Sequence, residues 1–248
     1  MKSFNPFSLQ NKKILVTGAS SGIGRGTSIA CANMGATVFL NGRNVDSLEA
    51  TLKQMQGENH VIVDGDITKQ ESVENIVALL PQLDGIVHCA GIMIRKVCKQ
   101  IERVEIEGIM NTNFNAPVLL LSSLLQQKKI NKGASIVFIA SVAPFVPTVG
   151  NALYSASKGA IMAYSNCLSM ELAPRKIRVN CICPGMIRTD LLVKADFTEE
   201  EIAQDIEKYP LKRYGTPDDV ANAVVFFLSD ASSWITGTNL KIAGGITY

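Results

Sequence analysis

The chain has 248 residues, 47% of them hydrophobic and 19% charged, which is the composition of a folding chain and excludes a disordered one. A formal charge of +2 gives no basic footprint for nucleic acid, and no run of like charges forms a tail. No apolar stretch reaches the ~18 positions of a membrane span, and Met1 to Lys13 lacks the apolar centre of a signal peptide, so a cytoplasmic protein without membrane or nucleic-acid partners is expected.

Taken in chain order, Lys13–Thr17 reads as a strand ending in a glycine-rich turn, and Ile23–Met34 as the helix after it. Thr37–Leu40 is a second strand, Val45–Met55 a helix, Val61–Val63 a third strand and Gln70–Leu80 another helix. Ile86–His88 is a fourth strand, and the pattern of Val104–Gln127 predicts one long helix. Ser135–Ala140 is a fifth strand, Tyr154–Leu172 a long helix, Arg178–Ile182 a sixth strand, Pro217–Leu228 a last helix and Asn239–Ile242 a last strand. Val- and Ile-rich strands without strict alternation, separated by helices, predict a parallel sheet covered on both faces. Right-handed crossovers make this a Rossmann-like, doubly wound α/β fold of three layers in one domain over 1–248. Residues 193–214 break the rhythm and are expected to be a flap over the site, with Phe197, Tyr209 and Leu211 facing the pocket.

The six cysteines, Cys31, Cys89, Cys98, Cys167, Cys181 and Cys183, sit in apolar segments without a CxxC pair, so they read as reduced, mostly buried thiols. With only His60 and His88 as further partners, no metal site is expected.

The first strand runs into Thr17-Gly18-Ala19-Ser20-Ser21-Gly22-Ile23-Gly24. Glycines between strand and helix let the backbone approach a pyrophosphate, and the helix start supplies N–H donors and partial positive charge. A turn that merely closes a βα corner uses glycines too, so this signal needs support. The second strand ends in Leu40-Asn41-Gly42-Arg43-Asn44, with no carboxylate where an NAD site places one for the ribose 2′-hydroxyl. The guanidinium of Arg43 suits a 2′-phosphate instead, with Ser20 and Ser21 as added hydroxyl donors, so NADP(H) is preferred over NAD(H).

Tyr154-Ser155-Ala156-Ser157-Lys158 puts a phenol and an amine one helical turn apart on one face. An isolated phenol titrates near ~10, and the nearby ammonium is expected to lower it and make the pair a proton donor and acceptor for a carbonyl. Ser141, at the end of the fifth strand, is placed to hydrogen-bond a substrate oxygen, because carboxyl ends of parallel strands line the ligand crevice. Asn113 puts an amide, a mediocre helix former, inside the long helix, which points to a local role. Taken singly, Ser141 and Asn113 also suit capping or packing.

Together these motifs resemble the short-chain dehydrogenase/reductase family over nearly the whole chain, and most of all its 3-oxoacyl-(acyl-carrier-protein) reductase type. The resemblance implies a catalytic set of Asn113, Ser141, Tyr154 and Lys158, and a glycine motif of Gly18, Gly22 and Gly24 with Ile23 between. It implies that Asp66 and Ile67 contact adenine, and that Ala90 and Gly91, with Cys89 before them, let the cofactor ribose pack. It further implies that Pro184, Gly185, Ile187 and Thr189 flank the nicotinamide, and that the assembly is a homotetramer through Val104–Gln127 and Tyr154–Leu172. One departure is His88-Cys89-Ala90-Gly91 where the family has Asn-Asn-Ala-Gly, which removes two amides expected to brace the strand ends; His88 reads as a structural histidine. The implied mechanism gives hydride to a ketone, with Tyr154 as proton donor, Ser141 as orienting hydroxyl, Lys158 on the nicotinamide ribose and Asn113 positioning a water.

The ketone is either carrier-bound, with Arg175, Lys128, Lys129 and Lys132 facing an acidic carrier protein, or a free sugar, steroid or small metabolite. A nonenzymatic NADP(H) sensor is the reading from another class; it needs the phosphate turn but not the Tyr154–Lys158 pair.

Overall fold

The computed structural model describes residues 5–189 and 198–246. Seven strands form one parallel sheet in the order β3-β2-β1-β4-β5-β6-β7. They are β1 Lys13–Thr17, β2 Thr37–Gly42, β3 Val61–Asp64, β4 Leu83–His88, β5 Ile130–Ile139, β6 Arg178–Pro184 and β7 Asn239–Ile242. The helices between them are α1 Gly22–Asn33, α2 Val45–Leu52, α3 Gln70–Leu79, α4 Arg103–Met110, α5 Ala116–Gln126, α6 Ala152–Leu172, α7 Glu199–Ile206 and α8 Pro217–Leu228.

Alternate side chains of each strand enter opposite layers. Leu15, Ile86, Ile136 and Phe138 pack against α3, α5 and α6, whereas Ile14, Val16, Val87 and Val137 pack against α1, α2 and α8. Both faces are therefore dry, as the unbroken Val/Ile runs require. The chain reverses direction across the sheet between β1 and β4, which are neighbours although β2 and β3 intervene in sequence. Beyond the carboxyl ends of that pair no crossover covers the sheet, and a crevice opens there.

The expected helix over Val104–Gln127 is interrupted. α4 ends at Met110, Asn111–Asn115 forms a π-helical turn, and α5 begins at Ala116. Pro117 explains the break, because it has no N–H to return to the carbonyl of Asn113 four residues earlier. Ala116 N–H reaches back to the Asn111 carbonyl across the wider turn instead. β5 begins at Ile130, earlier than the expected Ser135, and is paired with β4 through a register shift between Leu83 and Gly85. The expectation of mostly buried thiols also needs correcting: Cys31, Cys181 and Cys183 are buried, but Cys98 and Cys167 are exposed because they lie on a surface turn and on the outer side of α6.

Phe138 stacks on His88 with ring centroids 4.6 Å apart and meets Tyr164 edge-on at 6.1 Å. It sits in the strand that carries Ser141 to the crevice. Phe138→Ala is expected to cost about 3–5 kcal/mol of stability in urea unfolding, well beyond a surface substitution.

Candidate active site

Construction of the site starts at the amino end of α1. Gly18 has φ +67°, and a Cβ on it would lie 2.9 Å from the Ala90 nitrogen. At Gly24 a Cβ would lie 2.1 Å from the Gly18 carbonyl oxygen. The turn closes only because both residues lack side chains. Ser21 stands at the N-cap of α1, yet its hydroxyl makes no capping hydrogen bond, and the first turn carries no acidic residue. The N–H donors and positive dipole end of a three-turn helix thus face a cavity of about 1180 Å³. A diphosphate fits that donor set, and the glycine cradle leaves room for it.

The cavity collects the residues singled out in the sequence. Gly18, Ser20, Ser21, Gly22, Ile23 and Gly24 line it, as do Arg43, Asp66 and Ile67 at one end and Cys89, Ala90 and Gly91 behind β4. Ser141, Tyr154, Lys158, Pro184, Gly185, Ile187 and Thr189 complete it. Thr189 lies against the glycine turn, its Cγ2 3.2 Å from the point a Gly22 Cβ would occupy. Asn113 stands behind the wall. Its amide is clasped to the loop after β4, Oδ1 accepting from Ile92 N–H at 2.8 Å and Nδ2 donating to the Ile92 carbonyl at 2.9 Å and to Ser157 Oγ at 3.0 Å. A Cβ on Gly91 would meet Asn113 Oδ1 at 3.2 Å and Lys158 Nζ at 3.4 Å, so the three residues are packed together.

At the β2 end, Arg43 is exposed on the rim near Asp66. Burial pushes the Asp66 carboxyl up, but hydrogen bonds from the Thr68 backbone and hydroxyl, with the charges of Arg43 and Lys69, hold it below the ordinary range. Where a carboxylate is missing, buried Asn41 sends its amide to the Val63 carbonyl at 2.9 Å and braces β3.

Lys158 is buried and donates to the Ile139 carbonyl at 2.8 Å. Burial lowers its pKa from 10.5 to about 8. Tyr154 differs from the expectation. Burial raises its pKa, and the counter-pull comes from a hydrogen bond with Ser141. The Lys158 ammonium lies over the ring, 5.8 Å from its centroid, and does not offset the effect of burial on the phenol. The phenol is kept in its protonated form.

The replacement of the two expected amides at His88-Cys89 leaves the strand ends braced by another group. The Thr17 hydroxyl accepts from the Cys89 and Ala90 N–H groups, both at 3.2 Å. His88 is buried and stacked on Phe138, and burial lowers its pKa to about 3, so it is neutral.

Some expectations move. Leu211 is 66% exposed and does not line the cavity, whereas Tyr209 does. Phe197 and the rest of 193–197 lie outside the described residues. Lys128, Lys129 and Arg175 lie at the amino ends of β5 and β6, the opposite strand ends from the cavity, and Lys132 lies near the start of β5. Lys129 and Arg175 are tied to the Leu80 and Ile130 carbonyls. Three contributors escaped the sequence reading. Thr17 clamps the β4 loop, Arg25 ties the phosphate turn by donating to the Ser20 carbonyl at 2.6 Å, and Asn151 lines the cavity one turn before Tyr154. For Arg25 the signal was its place directly after Gly24. Among the described residues, no group of three His, Cys, Asp or Glu could hold a metal ion, and no helix is long and apolar enough to cross a membrane.

The family model described as Enoyl-(Acyl carrier protein) reductase matches residues 18–247. A 3-oxoacyl-[acyl-carrier-protein] reductase of Rickettsia felis is 32% identical over 238 residues, covering 96% of this chain and 98% of that protein. A glucose 1-dehydrogenase of Gluconobacter oxydans is 36% identical over 245 residues, covering 95% of this chain and 92% of that protein. The solved structure of a short-chain type dehydrogenase/reductase from Mycobacterium ulcerans superposes with a TM-score of 0.86 at 31% identity, over 96% of this chain and 90% of that one.

The fall of Lys158 from 10.5 to about 8 corresponds to a penalty of roughly 3 kcal/mol at neutral pH. The folded value lies below the unfolded one, so the penalty is complete below pH 8 and is relieved as pH rises toward 10.5. Lys158→Met is therefore expected to be more stable than the parent at pH 7 by about 1–3 kcal/mol, with the gap closing between pH 8 and 10.5 in paired denaturation curves.

Proposed function

The chain belongs to the short-chain dehydrogenase/reductase family of oxidoreductases, and from that premise we propose that it is an NADPH-dependent carbonyl reductase in which Tyr154 gives the proton. The observation that carries this reading is the meeting of Ser141, Tyr154 and Lys158 in one cavity with the uncapped amino end of α1.

In this reading the turn from Gly18 to Gly24 holds the pyrophosphate, with Arg43 on the 2′-phosphate and Asp66 and Ile67 at the adenine. Cys89, Ala90 and Gly91 pack against ribose, and Pro184, Gly185, Ile187 and Thr189 hold the nicotinamide. When bound, NADPH supplies the hydride. Ser141 and Tyr154 hydrogen-bond the substrate carbonyl oxygen, and Tyr154 gives that oxygen a proton as negative charge develops. A phenol held protonated by burial suits that role. Lys158 holds the nicotinamide ribose. Asn113 positions a water for proton resupply, and Pro117 supports this, since the Asn113 carbonyl receives no bond from the residue four places on.

The two curated relatives above act, by their names, on a 3-oxoacyl carrier and on glucose, so they support the reaction class rather than one ketone. A homotetramer belongs to the same reading, and exposed Val104 and Ile106 on α4, Leu119 on α5 and Met170 on α6 support it.

NADPH oxidation with a panel of ketones is expected to show turnover that Tyr154→Phe cuts by about 10²- to 10⁴-fold with NADPH binding retained. No turnover with any ketone, together with an NADPH-dependent affinity for another protein, would install the sensor reading instead. Arg43→Ala is expected to weaken NADPH at least about tenfold, the loss of one charge-assisted pair, and to leave NADH nearly unchanged. Equal losses in a fluorescence titration would remove the 2′-phosphate role.

A further inference from the structure

Arg25 leaves the first turn of α1 and lines the cavity, as do Gly42 and Arg43 at the carboxyl end of β2. Two of its nitrogens are spent. Nη2 donates to the Ser20 carbonyl at 2.6 Å and Nε to the Thr51 hydroxyl at 3.1 Å, and Thr51 is itself held by the Ala19 carbonyl at 3.0 Å. These bonds fix the guanidinium at one corner. A Cβ on Gly42 would lie 3.6 Å from Ser20 Cβ. The residue that anchors Arg25 is therefore seated on the last position of β2, directly before Arg43.

That corner lacks an anion. Arg25 is half-buried, yet among the described residues it forms no ion pair and its Nη1 makes no hydrogen bond. The first turn of α1 holds no acidic residue, and exposed Asp46 and Glu49 on α2 pair with neither Arg25 nor Arg43. Asp66 feels the charge of Arg43, but its Oδ1 already accepts from the Thr68 N–H at 2.9 Å and the Thr68 hydroxyl at 2.7 Å. A charge drawn partly out of water without a counter-charge is unfavourable, and a second guanidinium nearby adds repulsion. A phosphate held between them relieves both costs, and guanidinium forks match its oxygens.

We propose that Arg25 is the second guanidinium of the 2′-phosphate site, and that with Arg43 it sets the preference for NADP(H) over NAD(H). This rests on the NADPH reading of the cavity. The two uses of Arg25 are separable. Its tie to Ser20 shapes the turn for either cofactor, since both carry the pyrophosphate. Its charge and its unspent Nη1 donors serve only the cofactor with the additional phosphate.

The test is fluorescence titration of NADPH and NADH, with adenosine 2′,5′-bisphosphate and adenosine 5′-monophosphate as competitors that carry or lack the 2′ group. Arg25→Gln keeps an amide donor for Ser20 and removes the charge. It is expected to weaken NADPH and the bisphosphate about tenfold, and to change NADH and the monophosphate by less than about twofold. NADPH binding to this variant is also expected to depend less steeply on salt. Arg25→Lys keeps a point charge without the fork, so its NADPH loss is expected to fall between parent and Arg25→Gln. Equal weakening of both cofactors, or of neither, overturns the proposal and leaves Arg25 as a tie within the turn. If Arg25→Gln does not fold, Arg25→Lys decides alone: unless NADPH loses more than NADH, the proposal is overturned. A parent protein that binds NADPH no better than NADH, and the bisphosphate no better than the monophosphate, brings down the 2′-phosphate reading and the proposal with it. A preference that Arg43→Ala removes and the Arg25 variants leave intact brings down the proposal alone.

Discussion

An amine buried under a sheet is the group on which the rest of this site depends. Lys158 is almost inaccessible to water, and one of its protons is matched by the Ile139 carbonyl. The nearby thiols give little help. Burial pushes Cys89 and Cys181 up to about 12 and Cys183 to about 11, so none is an anion that would compensate the charge. A charge held in that position destabilises the fold and keeps donors available for a ligand's oxygens. The costs are accepted because both layers around it are well packed. Ile161 and Met162 on α6 pin the helix that carries Lys158 into one core, and Ile139 anchors β5 in the other.

The packing around the amine also explains which parts of the molecule could be read from its sequence. Glycine spacing and the Tyr154–Lys158 interval are local properties of consecutive residues, so Gly18, Gly24, Tyr154 and Lys158 were legible before any coordinates. The position of Asn113 was legible, but its surroundings were not. The apolar period over Val104–Gln127 is continuous enough to hide a π turn, and only Pro117 marked the place where the backbone bond to Asn113 fails. The clasp between Asn113 and Ile92 joins residues on different elements, and no periodicity encodes it. Exposure of Cys98, Cys167 and Leu211 was missed for a related reason. Apolar neighbours in sequence do not fix which side of a helix or turn faces water.

The phenol illustrates how a spacing in sequence can be read with the wrong cause. Spacing alone puts an ammonium near Tyr154 and suggests that the charge lowers its pKa. The ammonium faces the ring and the Ile139 carbonyl, while the hydroxyl is engaged by Ser141. Burial then dominates and favours the neutral phenol. For a proton donor this ordering is favourable, since the acid must be protonated before the carbonyl arrives and gives up its proton only as charge develops on the substrate oxygen.

The two ends of the sheet answer to different demands. At the amino ends of the strands, charged side chains close backbone valences: Lys129 on the Leu80 carbonyl, Arg175 on the Ile130 carbonyl, and Arg178 on the Ser229 carbonyl at 3.1 Å. These are stabilising uses of charge, and they stand at the opposite strand ends from the crevice. At the carboxyl ends the polar groups are left with capacity: the uncapped start of α1 and the buried Lys158. Charge is spent on backbone carbonyls where no ligand comes, and the donors of α1 and Lys158 are kept at the ends where the cavity opens. That division is what a parallel sheet with its reversal between β1 and β4 makes possible, because its strands all deliver their carboxyl ends to one side.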